Sequence, residues 1–300
     1  MNPPLACIII TTHRRPDLVA TAVRSALAQT YDPLEIIVID DNGKGTDAQQ
    51  QTEKNLALFA KDARLRYLIQ ESNQGGAIAR NHAATASRAK YITFLDDDDE
   101  YYPEKVATQV NALETEETDI CLCTAEFYAP DSTLSHYKGL PVGRNLEEFL
   151  IKGHAMTNMI MVKRELYLAV GGFIKSPRYD DHLLMLRLLM ASEKNAVIIS
   201  TPHHRINLHD GERMSNNDKA HAAMINKHEK EHAAAQSLPQ NIQRTVRHRQ
   251  AREMLRFSIA EQGILRFFVQ TLSLIVSARS GYELKESLRH AAKTAFNRYS

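Results

Sequence analysis

The sequence predicts an α/β fold, a mostly parallel sheet flanked by helices, with an α-helical extension at its C-terminal end. Three observations predict it. Short apolar runs alternate with stretches of helical spacing over about the first 200 residues. Two of these runs lead straight into acidic clusters, Asp40-Asp41 and Asp96 to Asp99. Past Asn217 the strand-like runs fade, and Ala, His, Lys, Arg and Glu dominate.

Taken in order, Leu5 to Ile10 is an isoleucine-rich run that reads as a buried strand. Pro16 opens a segment with Leu18, Val19, Ala22, Val23, Ala26 and Leu27 on one helical face. Leu34 to Ile39 is a second strand, ending in Asp40-Asp41-Asn42-Gly43. Thr46 to Ala60 reads as a helix and Leu65 to Ile69 as a strand. Gly75 and Gly76 precede a helix from Ala77 to Ser87. Tyr91 to Leu95 is a strand that runs into the second acidic cluster. Pro103 to Leu113 is a helix, Ile120 to Phe127 a strand, and Leu183 to Ser192 a helix. Near-continuous apolar strands belong to parallel sheets covered on both faces, and such sheets bind ligands beyond the carboxyl ends of their strands. Both acidic clusters are therefore expected on one sheet edge, facing one crevice.

Composition narrows the function. A chain of 300 residues with 43% hydrophobic content can bury a sizeable core in one large domain or two small ones. The net charge of +1 gives no reason to expect nucleic-acid binding. Cys7, Cys121 and Cys123 read as small buried hydrophobes in a reducing compartment. The opening MNPPLACIII lacks the basic flank and apolar core of a signal peptide. Phe267 to Ala278 is 12 residues without charge, well short of the ~20 that span a bilayer. The expected location is cytoplasmic, either soluble or peripheral on the inner face of the plasma membrane. From Leu238 to the end there are eleven Lys/Arg against four Asp/Glu. The largely apolar stretch Ile264 to Val276 carries Arg266 near its start and is followed by Arg279. Two readings stand: peripheral contact with an anionic membrane, or a helix packed on the rest of the chain or on a partner.

Asp96 to Asp99 is the sharpest chemical signal. Four consecutive carboxylates repel one another. A hard divalent cation, Mn²⁺ or Mg²⁺, offsets that repulsion, prefers oxygen ligands and bridges phosphates. It also stabilises a departing diphosphate. The plain alternative is a solvated acidic loop or a helix cap ahead of Pro103.

The pieces around these acids occur in a telling order. They read CIIITTHRRPDLVATAVRSALAQTY, EIIVIDDNG, NQGGAIARNHA and KYITFLDDDDEYYPEKV, then GGFIKSPRYDDHLLMLRLL and RINLHDGERMS. Over residues 5–215 the chain resembles family-2 glycosyltransferases, similar to bacterial exopolysaccharide and lipopolysaccharide enzymes. The resemblance implies a GT-A scaffold, the Rossmann-like fold of nucleotide-diphospho-sugar transferases. It implies a catalytic domain over 1–215, with a nucleotide-binding half (1–115) and an acceptor-binding half (116–215), followed by a helical extension over 216–300. It also implies an inverting transfer of one sugar from a nucleotide-diphosphate sugar, with UDP favoured, to a glycan or lipid-linked glycan acceptor.

The site residues follow from the same resemblance. Asp41, beside Asp40, falls where the nucleotide base is held, and a carboxylate can accept the imide N–H of uracil. Thr11 and His13 fall in the loop that lines the base. Arg15 and Arg80 are placed to meet phosphate or ribose oxygens. Asp98 is the implied direct metal ligand, with Asp96 and Asp97 near the ribose or in the metal's outer shell. Asp99 is expected to cap the next helix. Gly75 and Gly76 permit a turn or a close backbone approach. Family members often carry Glu-Asp where this chain has Asp180-Asp181, and Asp181 maps to the general base that takes the acceptor's proton. Arg205 to Ser215 resembles a loop that closes over the donor. Within it, His209 is a candidate ligand for metal or phosphate, and Arg213 a candidate to neutralise phosphate. His203 and His204 are expected on opposite strand faces in structural roles. His221, His228 and His232 are expected on a solvated helix face.

Two other functions compete. A nucleotidyltransferase would need a glycine-rich first loop, and TTHRRPD has no glycine. A scaffold that has lost turnover would not need Asp41, Asp96 to Asp98 and Asp181, all of which are present.

Overall fold

The computed structural model describes residues 3–208, 220–262, 264–278 and 280–296. The chain falls into two compact units, Met1–Met214 and Ser215–Ser300.

The first unit grows from its most apolar run. Strand β1 (Ala6–Thr12) is buried at every position. Helix α1 (Val19–Leu27) buries Val19, Ala22, Val23 and Ala26, the helical spacing that the sequence displays. Strand β2 (Leu34–Asp40) follows, then α2 (Asp47–Leu56), whose first turn is capped by the Thr46 hydroxyl accepting from the Gln49 amide. Next come β3 (Leu65–Ile69), α3 (Gly76–Ala86) and β4 (Tyr91–Asp96). Strands β3, β2, β1 and β4 lie side by side in that order, all parallel. The register sets Thr11 opposite Asp96 and Thr12 opposite Asp40. Both acidic clusters thus leave the sheet at one edge.

The second half of the sheet is mixed. After the short β5 (Glu100–Tyr101) and α4 (Lys105–Thr115) come β6 (Ile120–Tyr128) and β7 (Leu134–Gly139). Helix α5 (Leu146–Lys152), β8 (Ile160–Lys163), α6 (Arg164–Ala169), α7 (Asp180–Ala191) and β9 (Val197–Asn207) complete the unit. The order continues β4-β8-β6-β9-β5, with β7 on β6. Strand β8 runs against both β4 and β6, while β6 and β9 are parallel. At four residues, β8 is too short to announce itself as an apolar run. The three cysteines are free and buried, Cys7 in β1 and Cys121 and Cys123 in β6. Buried Lys105 sits beneath this half, its ammonium 3.9 Å from the Tyr101 ring centroid and hydrogen-bonded to Thr93 and Gln109. Burial pulls its pKa down to about 8.

The second unit holds α8 (Ala220–Ala235), α9 (Gln240–Gln262), α10 (Ile264–Ser277) and α11 (Gly281–Phe296). Leu255, Phe267, Leu274 and Ala291 form its apolar core. A buried ion network lies alongside. Glu231 meets Arg249 and accepts from Gln250 at 2.9 Å, while Glu253 meets Lys227 at 2.9 Å and Arg249 at 3.3 Å. Burial opposes the charge on Glu253, but the hydrogen bond to His228 and the charges of Arg249 and Lys227 hold its carboxyl well below the usual range. The expectation of a solvated histidine face therefore fails at His228, whose Nε2 lies 3.0 Å from Glu253 on α9. His232 is exposed, beside Gln236.

Candidate active site

The edge where β1, β2 and β4 end is built from carboxylates with dedicated partners. Asp40 is buried, accepting the Asn42 amide at 2.8 Å and the Tyr67 hydroxyl at 2.6 Å. Asp41 is also buried. Its two oxygens accept the backbone N–H groups of Gln74 and Gly75, each at 2.8 Å. Asp41 therefore fastens the loop that enters α3, and each oxygen keeps one lone pair for another donor. Gly75, at φ +92, is the residue before that helix.

The acidic turn after β4 divides its labour. Asp97 is buried, accepts from the Thr12 hydroxyl at 2.7 Å, and pairs with Arg15 at 2.7 Å. Burial still pushes its carboxyl up to about 7, against the lowering by Arg15 and Thr12. Asp98 binds the other nitrogen of the same guanidinium, and 17% of its side chain remains exposed. Arg15, expected to meet phosphate or ribose oxygens, here bridges two carboxylates of the turn. Asp99 is a correction. It does not cap α4, whose leading residue is Glu104. Its oxygens accept from the Asn158 side chain and from the Asn207 amide, and Asn207 also donates to the Asp98 carbonyl at 2.8 Å. Distant segments capture Asp99 before the helix begins.

Arg80 joins this edge to the second half of the unit. It is buried, donates to Asp96 at 2.7 Å, and lies 3.7 Å from Asp180. Burial disfavours its charge, and Asp96 and Asp180 more than offset this. A Cβ on Gly76 would stand 3.3 Å from its Nη1. Asp180 and Asp181 open α7. Asp181 is half-buried, and burial followed by the charge of Asp180 pushes its carboxyl up to about 7. Thr11 is buried at the same edge, and His13 is half-buried. Burial and Arg14 lower the His13 pKa, so the ring is neutral near pH 7.

Sequence reasoning missed the group that anchors α6 and the turn after it. Asn81, one residue past Arg80, accepts from the Phe173 amide and the Tyr167 hydroxyl and donates to the Phe173 carbonyl at 2.8 Å. A Cβ on Gly172 would meet Asn81 Oδ1 at 2.2 Å, so only glycine fits there. The Asn81 and Gly172 positions stood inside the motifs, but nothing in the sequence paired them. Asn158 and Asn207 were missed likewise. His204 is buried and His203 half-buried, as alternation requires. His209 and Arg213 lie outside the described residues. Among the described residues, no group of three or more His, Cys, Asp or Glu side chains is arranged to hold a metal.

The model of the family "Glycosyl transferase family 2" matches residues 7–171. A protein of Escherichia coli (strain K12), WcaA, named for colanic acid biosynthesis, is 30% identical over 151 residues, covering 48% of this chain and 53% of that protein. The Escherichia coli UDP-Glc:alpha-D-GlcNAc-diphosphoundecaprenol beta-1,3-glucosyltransferase WfaP is 36% identical over 112 residues, covering 37% of this chain and 42% of that protein. The chain thus matches about half the length of these relatives, or less. Among solved structures, residues 1–349 of S. aureus TarS in complex with UDP-GlcNAc share the fold with a TM-score of 0.68 at 15% identity, over 90% of this chain and 79% of that one.

Proposed function

The chain belongs to glycosyl transferase family 2, and we propose from that premise that it moves one sugar from a nucleotide-diphosphate sugar to an acceptor hydroxyl, with inversion. The observation that carries this reading is the Arg80 bridge. It ties Asp96, at the edge where the nucleotide would lie, to Asp180, beside the candidate base Asp181. This tie supports a reading in which donor and acceptor chemistry share one site. UDP is the favoured nucleotide: a fold neighbour is complexed with UDP-GlcNAc, and a relative's name specifies UDP-Glc. That same name specifies a diphosphoundecaprenol-linked acceptor, which supports a lipid-linked or other surface-glycan acceptor here.

Asp181 takes the proton from the acceptor oxygen as that oxygen attacks the anomeric carbon. A carboxyl held near pH 7 matches this task. One carboxylate serving a single displacement inverts the anomeric configuration. Arg80 holds Asp96 and Asp180 in place, and neutral His13 and Thr11 line the base. Asp98 fits a Mn²⁺ or Mg²⁺ ion of a particular kind. The partly exposed carboxylate offers an oxygen ligand, and such ions take their remaining ligands from water and phosphate. When bound, the ion would offset the charge of the departing diphosphate.

The test is calorimetric titration of UDP-, GDP- and dTDP-sugars with Mn²⁺, with Mg²⁺ and with EDTA, using the wild type, Asp98→Asn and Asp181→Asn. One nucleotide family should bind only with metal. Asp98→Asn should abolish that binding, and Asp181→Asn should preserve it while losing transfer. Absence of nucleotide-sugar binding under every condition sinks the reading.

A further inference from the structure

Helix α10 has more apolar surface than its own unit covers. Phe267 and Leu274 are buried in the core. Phe268, Val269, Leu272 and Val276 are exposed at 60%, 60%, 63% and 77%. At 100° per residue these four fall on one stripe about 100° wide, on the side of the helix opposite the buried Phe267 and Leu274. An isolated exposed leucine needs no explanation, but a continuous stripe on a helix that also buries a face does.

The charge beside the stripe identifies the occupant. A pocket of about 420 Å³ lies between α9, α10 and α11. Its walls include the exposed Arg244 and Arg247 of α9, and Gln270, Ser273 and Ser277 of α10, with Glu283 of α11 the one acid among the described residues that line it. Ser273 is one helical turn from Val269, so the basic pocket and the apolar stripe share a border. Lys285 and Arg289 of α11 are exposed as well. Apolar side chains next to arginines that flank a polar cavity match the layers of an anionic bilayer, acyl chains beneath phosphates. A water-soluble partner would have to supply the same layering. At 14 residues α10 is about 21 Å long, shorter than the ~30 Å hydrocarbon core, so it would lie in the interface. No helix among the described residues is long and apolar enough to cross a membrane.

We propose that the C-terminal unit docks on an anionic lipid bilayer, with Phe268, Val269, Leu272 and Val276 inserted and a lipid phosphate held by Arg244 and Arg247. This stands apart from the transfer chemistry, since it needs neither donor nor acceptor.

The test is flotation of the full chain with vesicles of phosphatidylcholine alone and of phosphatidylcholine with phosphatidylglycerol, without nucleotide sugar. The wild type should float only with the anionic vesicles, and added salt should weaken the effect. Leu272→Ser with Val276→Ser should reduce binding about tenfold or more, as should Arg244→Glu with Arg247→Glu. The second pair lies on α9 rather than α10, so it keeps the test informative if the first pair misfolds. Thermal melting checks both. Wild type that stays in solution with anionic vesicles overturns the proposal, as does binding that neither pair weakens. A wild-type dimer that Leu272→Ser with Val276→Ser converts to monomer, without vesicle binding, assigns the stripe to a second copy and overturns it too.

Discussion

The acidic turn after β4 and the ion network of the C-terminal unit both set carboxylates against guanidinium groups, but only one is left open. At the turn, Arg15 reaches Asp97 and Asp98 with 46% of its own side chain exposed. In the network, Glu231 and Arg249 are both buried, and Lys227, Gln250, His228 and Glu253 close the circle. An open pair can exchange its partner for a ligand at small cost, whereas a closed one cannot lose a member without leaving a buried charge. The first arrangement suits a site and the second suits a fold.

Substitutions at four residues would break or sharpen that contrast. Asp181→Asn should lower kcat by about a thousandfold, some 4 kcal/mol of barrier, with donor affinity unchanged by calorimetry. In the wild type kcat/KM should rise with pH up to about 7 and then level off, because Asp181 is a base only once deprotonated. The same raised pKa means that the folded chain keeps a proton the unfolded chain releases from about pH 3.8 upward. This group's contribution to stability therefore falls as pH climbs to about 7, which melting curves across pH would register. Next, Glu231→Gln should cost about 3 kcal/mol in urea unfolding, since Arg249 and Lys227 would then share one carboxylate. Arg80→Gln should lower kcat/KM about thirtyfold, near 2 kcal/mol, and Arg80→Lys should not restore it, because a point charge cannot serve Asp96 and Asp180 together. Smallest is Arg15→Gln, with a stability loss of about 1 kcal/mol, since Arg15 is half-exposed and buried Asp97 keeps the Thr12 hydroxyl. Mn²⁺ alone should raise the melting temperature of that variant more than that of the wild type, as Asp98 loses a competing cation. An equal rise would show that Arg15 and metal do not compete.

The parallel half of the sheet was legible because its strands are near-continuous apolar runs, broken only by single residues such as Glu35 and Arg66, and a run ending in aspartate reveals which edge holds the acids. The antiparallel β8 was not, since a strand of four residues is too short to display a period. Candidate acids could be read from type and order. Their partners could not, because they depend on contacts between remote segments. Asp99 met Asn158 and Asn207 instead of the adjacent helix, and Asp41 spends an oxygen on each of two backbone amides. His228 looked like a surface residue until α9 supplied Glu253.

The three buried thiols carry a consequence for how opening of the molecule can be watched. None is accessible in the folded chain, and Cys7 sits in the parallel half while Cys121 and Cys123 sit in the mixed half. An alkylating reagent should therefore mark them only when their part of the sheet opens. The order in which mass spectrometry finds them labelled would give each half its own clock. The C-terminal unit, with no cysteine, would stay silent throughout.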